Sequence, residues 1–152
     1  MRAIAFLCAL AVVGSANIVR AQQEQAFNMR RYESRYRLAG RYLDSVLPPN
    51  AIVVTAQESG SARYYANVPI LRWDQLDIDL DTAIAALRAR ALHPVLLIED
   101  WEAPLIAKKY PRSTNARLDW AARAEFGDEV RVFLYDPVDR GESRRWRADR
   151  VH

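Results

Sequence analysis

Cysteine is almost absent from this chain. The single one among 152 residues, Cys8, lies inside an apolar run near the start, so the folded remainder forms neither a disulfide nor a cysteine-based zinc site. Histidine is nearly as scarce. His93 and His152 are the only two and stand far apart in sequence, which argues against a histidine-rich metal centre or a Ser-His-Asp triad. Lysine is confined to Lys108 and Lys109, so almost all positive charge is arginine. The formal net charge is only +3, and so weak a basic balance gives nucleic-acid binding little support. No G-x-G-x-x-G follows any apolar run, which removes the dinucleotide fingerprint. No cofactor, metal or nucleic-acid partner is expected.

What is present has an ordinary globular balance. With 51% hydrophobic and 27% charged residues the chain holds enough apolar side chains for one packed domain. Ala3 to Val19 is apolar apart from Ser15 and Asn17, and Arg2 and Arg20 bracket it. Two readings compete. As a signal peptide it has a basic start, an apolar stretch and small residues suited to cleavage, Gly14-Ser15-Ala16 or Ala21. As a transmembrane helix it is about 17 residues long, the lower end of what spans a bilayer. Arg20, Arg30, Arg31, Arg35 and Arg37 crowd its C-terminal flank, which the positive-inside tendency would keep cytoplasmic. Membrane attachment is the favoured expectation. The chain then divides into residues 1–21, a transmembrane or signal-like segment, and residues 22–152, a soluble α/β domain.

Within that domain the pattern alternates. Glu24 to Leu47 is helical, with Tyr32, Tyr36, Ala39, Leu43 and Val46 on one stripe, and Pro48-Pro49 ends it. Ala51–Thr55 (AIVVT) reads as a buried strand, Ser61–Ala66 as a short helix and Pro69–Trp73 as a second strand. Asp77, Asp79 and Asp81 resemble the start of a calcium loop but lack its following glycine and distal glutamate. They serve better as caps for a helix running to about Leu92. Val95–Ile98 is a third strand, Pro104–Tyr110 a short helix, Ser113–Arg117 a polar loop and Val130–Tyr135 a fourth strand. The arginine-rich stretch from Asp139 to Arg150, with Trp146, suits an edge or surface strand. The expected fold is a small Rossmann-like three-layer sandwich, with a mostly parallel sheet of about four strands behind a hydrophobic N-terminal helix.

In such sheets ligands bind beyond the carboxyl ends of the strands. The candidate binding residues are therefore Gln57, Ser59, Gly60, Ser61, Arg63, Tyr64 and Tyr65 after the first strand. Arg72, Trp73 and Asp74 follow the second, and Glu99, Asp100 and Trp101 the third. Ser59-Gly60-Ser61 can present backbone N–H groups to an anion or simply start a helix. Arg63 and Arg72 add charge, and Trp73 or Trp101 can stack on a sugar or base, or anchor packing. Glu99, Asp100 and Glu102 can be read as a general acid/base group or as a solvated helix start. No residue is assigned a catalytic role.

The series LPPNAIVV, QESGSARYYA, PILRWDQLD, LLIEDWEAP, RLDW and VFLYDP resembles the C-terminal soluble domain of bacterial polytopic GT-C glycosyltransferases. These are similar to the dolichyl-phosphate-mannose–protein mannosyltransferase family. SGS-x-RYY followed by RWD is the most specific part. The resemblance implies that Ala3–Val19 is the last transmembrane helix and that the domain is extracytoplasmic (periplasmic). It also implies a partner, either a polytopic membrane glycosyltransferase or a missing N-terminal region, together with the membrane itself. No multi-helix bundle or early acidic loop occurs in this chain, so no catalytic residue carries over. Ala121-Ala122 follow RLDW where the pattern has prolines. The implied function is a non-catalytic accessory domain, a fragment or a split-off part, of an enzyme using a polyprenyl-phosphate-linked sugar donor. The alternatives are an independent exported module for a small anionic or glycosyl ligand and a membrane-anchored docking domain.

Overall fold

The structure, a computed structural model, describes residues 2–23, 29–141 and 149–151. The chain divides into two compact units, Met1–Glu33 and Ser34–His152.

The first unit contains the helix α1, Arg2–Gln23. Among the described residues no helix is long and apolar enough to cross a membrane. This corrects the transmembrane reading, and with it the membrane-anchored localisation. The physical reason lies in composition. Ala3, Ala5, Ala9, Ala11 and Ala16 bring little apolar surface, Gly14, Ser15 and Asn17 interrupt the run, and Arg20, Gln22 and Gln23 occupy its end.

The second unit is an α/β domain. The helix α2 (Met29–Val46) runs into it, followed by β1 (Ala51–Thr55), α3 (Ser59–Ala66) and β2 (Ile70–Arg72). Then come α4 (Leu80–Ala89), β3 (His93–Glu99), α5 (Ala103–Lys109), β4 (Ala124–Phe126), β5 (Val132–Tyr135) and β6 (Asp149–Val151). The strands form one six-stranded sheet in the order β2-β1-β3-β5-β4-β6. β1 pairs parallel with both β2 and β3, whereas β5 runs antiparallel to β3 and to β4. The edge strand β6 is parallel to β4.

The expected four-stranded, mostly parallel sheet is thus corrected to a mixed sheet of six. The cause is a hairpin. The three-residue strand β4 precedes Gly127, whose φ is +83° and where a Cβ would lie 2.5 Å from the Val130 carbonyl oxygen. Only glycine suits that position, and the short connection it allows turns the chain straight back into β5. A helix crossover, which parallel pairing needs, is absent between β4 and β5.

Alternation along the central strands splits the core in two. Val53, Val95, Leu97, Val132 and Leu134 face Ala39 and Leu43 of α2 and Ala62 and Ala66 of α3. On the other face Val54, Leu96 and Ile98 meet Leu80 and Ile84 of α4 and Ile106 of α5. Burying each such Leu, Ile or Val side chain contributes roughly 1.5–3 kcal/mol. The α2 stripe is only partly used, because Ala39 and Leu43 are fully buried but Val46 is 47% exposed. α4 stops at Ala89, short of Leu92, because Ala91 takes φ +57° and the Leu92 N–H bonds back to the Leu87 carbonyl at 3.1 Å.

The three aspartates before α4 divide their duties. Asp79 occupies the cap position without a capping hydrogen bond. Asp81 instead accepts from Ser113 Oγ (2.5 Å), from the N–H and hydroxyl of Thr114 (2.7 and 2.8 Å), and from the backbone and side-chain nitrogens of Asn115 (3.0 and 2.8 Å). Burial alone would raise its pKa, but these donors together outweigh it and hold the carboxylate well below the usual range. They pin the polar loop to α4. Of the arginine-rich stretch, Asp139–Gly141 is a single 3₁₀ turn; Trp146 lies outside the described residues.

Candidate functional site

The carboxyl ends of β1 and β3 are neighbours, and the chain segments that leave them build one polar cluster. Glu58, at the start of α3, is fully buried, and Glu99 and Glu102 are each 1% exposed. Arg35 reaches them from α2, with Nη2 3.2 Å and Nε 3.4 Å from Glu99 Oε1. Its Nη2 also donates to the Tyr36 hydroxyl at 2.8 Å, and Gln57 Nε2 reaches the same hydroxyl at 3.4 Å.

Each acid has a different task. Glu102 accepts the backbone N–H of Gln57 on Oε1 (3.2 Å) and that of Glu99 on Oε2 (2.9 Å), so it fastens the exits of the two strands together. Burial raises its pKa in spite of those donors. Glu99 takes Arg35 on one oxygen and the indole N–H of Trp101 on the other. Glu58 is pushed up to about 8, chiefly by burial, against the opposing influence of the Ser61 hydroxyl and with the negative Glu99 adding to the rise. Ser61 Oγ lies 2.5 Å from Glu58 Oε2 and 2.9 Å from the Glu58 carbonyl oxygen. Glu58 Oε1 and the buried Thr55 hydroxyl have no partner among the described residues.

The residues expected at this edge separate into three groups. Gln57, Ser61, Glu99 and Trp101 belong to the cluster. Asp100 supports it, accepting the Trp101 backbone N–H at 2.9 Å while Arg131 Nε approaches to 3.8 Å. Ser59 and Gly60 begin α3, and a Cβ on Gly60 would meet open space. Arg63, Tyr64 and Tyr65 are on the outer side of α3, all exposed, with the two tyrosine rings edge to face at 4.9 Å. Arg72 and Asp74 are spent on each other in a forked ion pair of 3.0 and 2.6 Å, and Trp73 is buried. Arg72 is therefore no free cation for a ligand. An anion at the Ser59-Gly60-Ser61 turn would meet the Glu58 carboxyl from the same segment.

Sequence reasoning missed Arg35 and Tyr36, which read as one charged turn and one packing stripe of a long helix. Glu58 and Glu102 stood next to the chosen residues, but nothing local marks an acid as fully buried.

Glu102 is locked by two backbone donors and Glu99 by Arg35 and Trp101. Trp101 itself is the exposed product of the cluster. The residue is 48% exposed, although a buried carboxylate holds its indole N–H.

No family model, curated protein or solved structure matches the chain. The membrane and glycosyltransferase terms expected for this chain have neither a family match nor, among the described residues, a helix apolar enough to cross a membrane behind them.

Proposed function

We propose that the second unit is a non-catalytic accessory module that binds the glycosyl part of a ligand, with Trp101 as its stacking platform. The module's part is recognition of a sugar. One observation carries the reading. Trp101 leaves about half its surface in water while its indole N–H is bound to buried Glu99, itself gripped by Arg35. An aromatic face fixed before the ligand arrives loses little side-chain entropy on binding. A tryptophan that served only packing would bury that face.

Around it stand groups suited to sugar hydroxyls. Gln57 is exposed, and the Tyr36 hydroxyl accepts from Arg35 and keeps its own proton to donate. The buried acids are a scaffold that aims the platform, so the module performs no transfer chemistry.

The experiment is a titration of the full chain with a panel of uncharged methyl glycosides, followed by NMR at the Trp101 indole resonance. Saturable shifts are expected for at least one glycoside, with affinity reduced about tenfold or more in Trp101→Ala. Trp101→Ala also takes a donor from buried Glu99, a loss of about 1–3 kcal/mol, so melting curves check that the variant is folded at the titration temperature. A panel giving no shift at millimolar concentration, or shifts unaltered by Trp101→Ala, removes the proposal.

A further inference from the structure

We infer a second ligand site at the opposite end of the sheet, independent of Trp101, that takes a small phosphomonoester of about sugar size. It is a cavity of about 630 Å³ lined by Arg88, Asn115, Asp119, Trp120, Pro137 and Arg140. It lies by the amino end of β3: β5 runs antiparallel to β3 and pairs Tyr135 with Leu96, so the chain leaving Tyr135 emerges beside that end.

The walls are held by buried charge. Asp136, fully buried, receives His93 Nε2 at 2.7 Å, Arg123 Nη1 at 2.9 Å and the Val138 N–H at 2.9 Å. Arg123 at the same time grips Asp139 through Nε (2.5 Å) and Nη2 (2.8 Å). These bonds lock the turn from Asp136 to Gly141, which projects Arg140. Trp120 is fixed by the same turn, since its Nε1 donates to the Asp136 carbonyl at 3.1 Å and its ring meets Tyr135 at 5.5 Å. The carbon of the Arg140 guanidinium lies 5.9 Å from the centre of the Trp120 ring.

The charge of the cavity is unbalanced. Among the described residues of its lining Asp119 is the one acid, and it accepts a bond from Arg140 Nε at 3.2 Å. The two terminal nitrogens of Arg140 have no partner among the described residues, nor has the Arg88 guanidinium, which enters from the last turn of α4. Two guanidinium groups against one carboxylate leave one positive charge over and several N–H donors unused. Forked guanidinium donors match the oxygens of a phosphate. The volume is in the range of small-molecule pockets and exceeds what phosphate alone fills. It leaves room for a sugar-sized group beside Trp120 and Pro137.

The test uses the full chain, with NMR of the Trp120 indole N–H as the readout and glucose 1-phosphate, inorganic phosphate and phosphatidic-acid vesicles as probes. Glucose 1-phosphate should give a saturable shift, and inorganic phosphate a weaker one at the same resonance. Arg88→Gln and Arg140→Gln should each weaken binding about tenfold, Arg140→Lys should restore part of it, and Trp101→Ala should leave it intact. Arg88 is exposed and Arg140 half-buried, and melting curves by circular dichroism check that the variants remain folded. Unchanged affinity in both glutamine variants, or no saturable shift, overturns the inference. Binding confined to the vesicles overturns it as well, because the phosphate would then be read on a lipid surface and not in the cavity. Loss of glycoside binding at Trp101 with phosphate binding retained would remove only the earlier reading.

Discussion

A buried ionic cluster closes each end of β3, and the two are built on different charge balances. At the carboxyl end Glu58, Glu99 and Glu102, all essentially inaccessible to water, share one direct guanidinium contact, that of Arg35 to Glu99. At the amino end Asp136 and Asp139 face Arg123 and His93, and the Arg123 side chain remains 42% exposed. The first cluster is short of positive charge and keeps a carboxyl protonated instead. The second is paired, and water reaches it through the Arg123 side chain. An acid without a cation in a dry site resolves the conflict by holding its proton.

The comparison breaks first at Arg35. Replacing it by Met leaves Glu99 buried without its cation, and loss of one partner of a buried pair typically costs about 3–5 kcal/mol. Urea unfolding should show a loss of that order. A loss below about 1 kcal/mol would mean that water reaches the carboxyl-end cluster as it does an exposed pair.

Next in size is the pH response of Glu58. Its pKa, ordinarily 4.5, is pushed up to about 8 in the folded chain, so the folded state holds a proton that the unfolded chain gives up. The resulting stabilisation is complete below about pH 4.5 and is lost as the pH rises through about 8. Stability of the native protein should therefore decline across that window, and Glu58→Gln, which stays neutral, should flatten the decline. Unfolding measured in both proteins at a series of pH values reads this directly; parallel curves would mean that the carboxyl does not keep its proton.

The smallest effect is expected at Arg123. Its replacement by Met removes one partner of Asp139 and leaves Asp136 with His93 and the Val138 N–H, at a cost of roughly 1–2 kcal/mol. A loss equal to that of Arg35→Met would erase the contrast between the two ends.

Much of the scaffold is readable from local pattern. The run AIVVT matches β1 residue for residue, and Val95–Ile98 is the centre of β3. Short β-branched stretches between turn residues have few other ways to fold. The sheet edge bearing Trp101 follows from those two strands alone. The direction of β5 does not follow, because VRVFLY looks the same whether its neighbour runs with it or against it. A three-residue strand such as β4 is below the length at which alternation can be recognised, and the Gly127 turn after it decided the sheet. The apolar leader misled for a related reason: counting apolar residues does not separate an alanine-rich helix from one able to cross a bilayer.

What the amino-acid order determined alone was the main helices, the two central strands β1 and β3, and the edge where polar and aromatic side chains gather, since periodicity and turn chemistry act over a few residues. Only the tertiary structure decided what those side chains do. Arg35 meets Glu99 across 64 positions, Glu102 fastens two strand exits, and Arg72 is consumed by Asp74. Whether a carboxylate is solvated, paired or protonated depends on which distant segments exclude water from it, and no local pattern records that.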